Sequence, residues 1–275
     1  MPDRRRGASD LTARVATAAV GIPLVLLVNA RGGWLFALLI GLAALIAEIE
    51  MVRLLRSGPY RPAILLAVPA AVLLSVVPFL PGHAQDTWVA VSVALLILGG
   101  LYYLLPVTYP DALANWLATV GAGLYVGLLL GHLALLREVH RGAWWVLLIL
   151  LLTWAFDTGA YFAGSRFGRH PFMAHISPRK TVEGVGGGII LAALVGLLGI
   201  PLVGLRPWQG LLLGALLGVV AQVGDLVESM IKRKTGVKDS GAIIPGHGGL
   251  LDRIDSLLFT GVAGFYAAAA FGYVS

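Results

Sequence analysis

The sequence predicts an all-α, polytopic integral membrane protein with about nine transmembrane helices and a cytoplasmic N-terminus. Three observations predict it. Hydrophobic residues make up 58% of the 275-residue chain and charged residues only 12%. With a mean hydropathy of +0.87, the chain is too apolar for a soluble domain. The apolar residues gather into runs near the roughly 20 residues that a helix needs to cross a bilayer. Finally, the basic residues fall almost entirely on one side of the implied topology.

The elements follow in order. A first span over 12–30 comes after Arg4, Arg5 and Arg6. Its long apolar run and the poor cleavage site at Asn29-Ala30-Arg31 favour a retained helix over a signal peptide. Further spans are expected over 34–54, 62–80, 87–106, 114–136, 142–164, 186–204, 208–231 and 250–272. Pro23 and Pro69 predict kinks that a membrane helix tolerates. Glu48 and Glu50 in the second span either support a site or pair with Arg53, and His132 reads as a packed residue rather than a ligand. Trp144 and Trp145 read as an interfacial belt, and the small-residue runs Gly184 to Gly188 and Ala267 to Ala270 as places where helices approach closely.

With the N-terminus inside, sixteen Lys and Arg lie in cytoplasmic segments. Only four, Arg31, Arg137, Arg141 and Arg206, lie outside, where the odd number of spans also puts Ser275. Residues 1–140 are expected to form an N-terminal helical scaffold with a surface for dimer contacts, and 141–275 the catalytic helices with their cytoplasmic loops. The chain has no cysteine, which removes disulfides, thiolate metal sites and cysteine nucleophiles. A net charge of +6 and a pI near 9.8 fit loops facing anionic headgroups and require no nucleic acid.

The segment from Ser229 to Asp255 carries the most chemistry: five basic and three acidic residues, a histidine and five glycines between two apolar runs. Just upstream, Asp225, Glu228, Ser229 and Lys232 fall at i, i+3, i+4 and i+7, one face of a helix. Carboxylates inside a span cost about 2.5–3.5 kcal/mol each on insertion scales unless a partner, water or metal compensates. Asp252 and Asp255 stand one turn apart at the start of the last span. Carboxylates converging from two helices suit a hard divalent cation such as Mg²⁺; salt bridges to Lys232, Arg233 or Arg253 are the alternative.

Between these helices, Pro245-Gly246-His247-Gly248-Gly249 leads into a helix start, where backbone N–H groups and the helix dipole favour phosphate. His247 suits a phosphate contact or a proton donor, and equally a structural hydrogen bond. A second polar region runs from Phe156 to Arg166 and then through Ser177-Pro178-Arg179-Lys180-Thr181-Val182-Glu183-Gly184. Asp157 and Tyr161 share a helix face, and Arg179 with Lys180 forms a compact cationic pair for phosphoryl oxygens.

Carboxylates for Mg²⁺, paired cations and glycine backbone donors make a kit for phosphoryl or nucleotidyl transfer. The chain has no Walker A motif, no protein-kinase signature and no DGxxAR motif of the CDP-alcohol phosphotransferases. An ion-coupled transporter would spread its acids through the membrane depth, whereas here they crowd the cytoplasmic side. A purely structural scaffold would not keep so many costly groups.

The run Ser229-x-Ile231-Lys232-Arg233-x₄-Lys238-Asp239-x-Gly241-x₂-Ile244-Pro245-x-His247-Gly248-Gly249-Leu250-x-Asp252-Arg253-Ile254-Asp255 resembles the signature of phosphatidate cytidylyltransferases, the CDP-diacylglycerol synthases. SPRKTVEG is similar to a second segment of that family, with Arg179 where lysine is commoner, and Asp157 to Gly164 and Gln222 to Asp225 also fit. The motif resemblance spans roughly 150–260.

The resemblance implies transfer of a cytidylyl group from CTP to phosphatidate, giving CDP-diacylglycerol and pyrophosphate. It implies Mg²⁺, leaves room for a second, monovalent cation such as K⁺, and is compatible with a homodimer. On this basis Asp225 and Asp252 bind the metal, with Asp255 and Asp239 in or near its shell. Lys238, Asp239 and His247 join them in catalysis. Ser177, Arg179, Lys180, Thr181, Lys232, Arg233, Gly248, Gly249 and Arg253 share the substrate phosphates. The expected location is the inner (plasma) membrane, with a polar cleft open to the cytoplasm. A related alternative is a CTP-dependent polyprenol kinase, which would transfer the γ-phosphate.

Overall fold

In the computed structural model, the described residues are 4–80, 82, 84–105, 111–241, 243 and 248–273, side chains of 4–16 and 84 apart. They are helical almost throughout. The helices are α1 (Arg4–Arg31), α2 (Gly33–Ser57), α3 (Ile64–Val76), α4 (Ala84–Leu104), α5 (Ala112–Glu138), α6 (Gly142–Phe167), α7 (Val182–Leu198), α8 (Ile200–Val203), α9 (Pro207–Thr235) and α10 (Leu251–Ala270). Among the described residues, the stretches Gly33–Ser57, Gln85–Leu104, Ala112–Glu138, Gly142–Phe167 and Pro207–Thr235 are long and apolar enough to cross a membrane, and Thr17–Arg31, Ile64–Phe79 and Val182–Leu198 are shorter apolar helices. Trp34, Leu65 and Leu198 are 73%, 81% and 78% exposed. Apolar surface of this kind suits lipid rather than water.

Several boundaries differ from the sequence reading, each for a local reason. The expected span over 186–204 breaks at Gly199, where Pro201 lacks an N–H and a new short helix, α8, begins. The third span ends in a 3₁₀ turn at Val77–Phe79, with Pro78 at its start. Helices α1 and α3 continue through Pro23 and Pro69. Helix α9 runs past the expected end at 231 to Thr235, so Arg233 and Lys234 lie on its last turns together with Lys232. Trp145 is fully buried, packed edge-on to Tyr273 with ring centroids 5.3 Å apart, so it belongs to the core; Trp144 alone is half-exposed.

The chain divides into two compact units, one of residues 1–128 with 234–253 and the other of residues 129–233 with 254–275. In the first, α3 starts against α5. The backbone N–H of Ala63 donates to Thr119 Oγ1 (2.9 Å) and that of Arg61 to Asn115 Oδ1 (2.5 Å), while the Tyr103 hydroxyl donates to the Arg61 carbonyl (2.7 Å). These buried side chains satisfy the backbone groups of the extended stretch that leads into α3.

In the second unit, α6 and α7 pack along glycine. A Cβ on Gly159 would stand 2.6 Å from the Gly187 carbonyl oxygen, and one on Gly188 would stand 2.7 Å from the Phe156 ring. Without side chains there the helices meet backbone to backbone, as expected for the Gly184 to Gly188 run.

Candidate active site

The second unit builds a cavity of about 490 Å³ whose polar lining includes Asp157, Ser165, Arg179, Lys180, Thr181, Gln222 and Asp225, with Phe156, Tyr161 and glycines completing the wall. Each polar group is there for a local reason. Thr181 is the N-cap of α7, its Oγ1 accepting from the Gly184 N–H (3.1 Å). The loop before it is pinned at several points. An isolated bridge joins Pro171 to Thr181, the Phe172 N–H donates to the Lys180 carbonyl (2.8 Å), and Arg233 Nε donates to the Ile176 carbonyl (3.0 Å). Ser177 takes part through its backbone, which accepts from the Lys180 N–H (3.2 Å). This framework holds Arg179 and Lys180 at the cavity wall.

Glu183 ties the loop to α7. It accepts from the backbone N–H groups of Arg169 (3.1 Å) and His170 (3.3 Å) and meets His170 Nδ1 at 2.5 Å. The Arg169 amide is the foremost reason that this carboxyl, ahead of the apolar run of α7, is held down at about 2 instead of 4.5. Because the folded value lies below the unfolded one, its contribution is fully present above pH 4.5 and is lost only as pH falls through about 2. Glu183 therefore stays ionised from pH 8 down to pH 5, and Glu183→Gln will make the loop more readily cleaved in limited proteolysis at both; a variant as resistant as wild type contradicts this.

Lys180 Nζ pairs with Asp225 Oδ2 at 2.6 Å, and Asp225 Oδ1 accepts from the Ser229 hydroxyl at 3.2 Å. The expected face of α9 is thus real, and its second pair, Lys232 with the fully buried Glu228, is also an ion pair. Next to Asp225, Gly224 lets α10 come close: a Cβ there would be 2.7 Å from the Asp255 carbonyl oxygen and 3.0 Å from Ser256 Cα. The Ser256 hydroxyl fastens this contact by donating to the Ala221 carbonyl (3.1 Å). Asp157, Asp225 and Lys232 are all near enough to act on the charge of Asp255.

The first unit carries the other group of expected residues. Gly248 adopts φ +84°, a conformation that favours glycine, just before α10. Asp252 Oδ2 accepts from the Ser240 and Gly249 N–H groups, both at 3.0 Å. Glu50 of α2, fully buried, accepts from the N–H groups of Leu250 (3.1 Å) and Leu251 (2.8 Å) and from the Ser240 hydroxyl (3.4 Å). The Gly249, Leu250 and Leu251 N–H groups, part of the helix start read from the sequence as favouring phosphate, are here engaged by two of the protein's own carboxylates. Lys238, Asp239 and Arg253 are exposed around this framework, and His247 lies outside the described residues.

The donor chemistry suits Mg²⁺. Asp157 and Asp225 line the cavity and each is near enough to act on the charge of Asp255, so the three offer hard oxygens. Among the described residues no three acidic or histidine side chains form a closed cage. Mg²⁺ needs none, since it is commonly held by one or two carboxylates, water and substrate phosphates.

A profile of the cytidylyltransferase family matches residues 12–271. The chain belongs to the cytidylyltransferase family. Its relatives include proteins named phosphatidate cytidylyltransferase. That of Synechocystis is 35% identical over 280 residues, 93% of this chain and 95% of the relative. That of Mycobacterium tuberculosis is 33% identical over 284 residues, 94% and 82% of the two chains. That of Staphylococcus epidermidis is 35% identical over 258 residues, 90% and 94%. Family likeness therefore runs through the first half of the chain, where the motifs gave only hydrophobicity.

Proposed function

We propose that this chain is a phosphatidate cytidylyltransferase: it transfers a cytidylyl group from CTP to phosphatidate and releases pyrophosphate. Likeness to proteins of that name over more than nine-tenths of the chain carries the reading. The cavity has the chemistry that the reaction asks for, with paired cations beside carboxylates.

In this reading a phosphate oxygen of the lipid bonds to the α-phosphorus of CTP, and the bond from that phosphorus to the α,β-bridging oxygen breaks. Pyrophosphate leaves with the electron pair. A phosphomonoester has a second pKa near 6 and is largely dianionic at neutral pH, so no strong general base is needed. Arg179 and Lys180 hold phosphoryl oxygens, Arg179 as a planar fork and Lys180 as a point charge. Asp225 and Asp255 would hold Mg²⁺, which would neutralise charge on the phosphates. Lys238, from the loop ahead of α10 that Asp252 and Gly248 shape, and Arg253, in the first turn of α10, serve the nucleotide, with Asp239 near the metal.

The topology belongs to the same proposal: about nine spans, both polar loops on the cytoplasmic side where CTP is found, and phosphatidate arriving from the bilayer. Purified protein in detergent will release pyrophosphate only when CTP, phosphatidate and Mg²⁺ are all present, and EDTA will abolish release. Formation of CDP with a doubly phosphorylated lipid would transfer the chain to the lipid-kinase alternative.

A further inference from the structure

We infer that Glu50 is a positioning residue for cytidylyl transfer, acting from α2 on the loop that precedes α10. The inference rests on the reading just given. Its basis is a carboxylate from the second helix serving two chain segments about 200 residues away in sequence. Oε1 accepts from the Leu250 N–H, and Oε2 from the Leu251 N–H and the Ser240 hydroxyl. Ser240 is one side of the loop, and Leu250 with Leu251 is the other, so one side chain clasps both. The backbone is shaped to admit it. A Cβ on Gly241 would lie 2.5 Å from Oε1 and one on Gly249 2.7 Å from Oε2.

Asp252 completes the clasp by taking the remaining N–H groups of Ser240 and Gly249. The two carboxylates together engage the Gly249, Leu250 and Leu251 N–H groups, donors with which a helix start would otherwise bind an anion. Beside the clasp stand the exposed side chains of Lys238 and Arg253, and their placement depends on Glu50. The helical scaffold expected of the first 140 residues thereby contributes directly to the reaction.

A neutral amide cannot replace Glu50 fully. Glutamine keeps one acceptor oxygen, but its NH₂ faces donors where a second acceptor is needed. The test compares full-length wild type, Glu50→Gln and Glu50→Ala in detergent by local amide exchange and by steady-state kinetics with CTP and phosphatidate. Exchange at Leu250 and Leu251 is expected to accelerate about tenfold or more, the effect of losing a hydrogen bond to a charged acceptor. The kcat is expected to fall about 10²-fold in Glu50→Ala, as for other losses of positioning. KM should change less, and Glu50→Gln should recover part of both losses.

Wild-type exchange at those two amides, or wild-type kcat in Glu50→Ala, would overturn the inference. So would faster exchange over the whole chain, which would make Glu50 a general stabiliser. A wild type that turns over no CTP would overturn the transfer reading and Glu50's catalytic part with it, while local exchange would still decide whether Glu50 holds the loop.

Discussion

Lys180→Ala will lower kcat/KM by about 10²–10³-fold, the scale found when one preorganised charge is removed from a transition-state site. Asp225→Asn will cost a similar amount, and the double variant little more than either alone. The non-additivity follows from geometry. Lys180 Nζ and Asp225 Oδ2 are 2.6 Å apart at the wall of one cavity, so each is the other's main partner. In the proposed reaction the pair separates: Lys180 turns to a phosphoryl oxygen and Asp225 to the metal. Losing Lys180 leaves Asp225 near Asp157 and Asp255 with its counter-charge gone. Losing the charge of Asp225 frees Lys180 from its orienting partner and, in the proposed reaction, takes away a carboxylate that would hold Mg²⁺. Groups that act as a unit show this pattern in a double-mutant cycle. Measured pyrophosphate release should show single and double variants within a few-fold of one another. Losses that multiply would mean that the two residues act on separate steps.

The helices and the polar face of α9 were legible in the sequence because both are periodic. Asp225, Ser229, Glu228 and Lys232 recur at helical spacing, and their contacts are the expected i, i+4 pairs. Two kinds of feature were not legible. Burial on an apolar helix is one: Trp145 sits in a run apolar on every side, so no pattern separates lipid-facing from core-facing positions, and it is buried where a belt residue was expected. Long-range satisfaction of backbone groups is the other. Glu50 has Arg53 one turn away as an obvious partner, and nothing local reports that it reaches amides at Leu250 and Leu251. The cue available was energetic. A carboxylate in a span is costly enough to require a partner, and the glycines at 241 and 249 mark where a neighbour must come close, though not which one. The same applies to Thr181, expected among the ligands of the substrate phosphates, and to Glu183, given no role: both fasten the loop that carries Arg179 and Lys180.

Gly224→Ala should be a strongly damaging single-methyl change near the site. The added Cβ would stand 2.7 Å from the Asp255 carbonyl oxygen, 3.0 Å from Ser256 Cα and 3.1 Å from Phe259 Cδ2. Two of those three atoms are backbone, so no rotamer change relieves the clash and α9 and α10 must move apart. Overpacking of this kind costs about 1–3 kcal/mol. The move also separates Asp225 from Asp255 and strains the Ser256 bond to the Ala221 carbonyl, so activity should fall further than stability predicts, by about 10²-fold if the carboxylates shift by an ångström. Gly186→Ala supplies the opposing case. It is helical, a Cβ there meets nothing within 4 Å, and the gain over glycine in a helix is about 0.5–1 kcal/mol. Thermal unfolding in detergent should rank Gly186→Ala at or above wild type and Gly224→Ala well below it, with activity lost only in the second. A Gly224→Ala protein that melts lower yet keeps full turnover would show that the α9–α10 approach serves the fold alone, and would count against the proposal that Asp225 and Asp255 hold Mg²⁺ together.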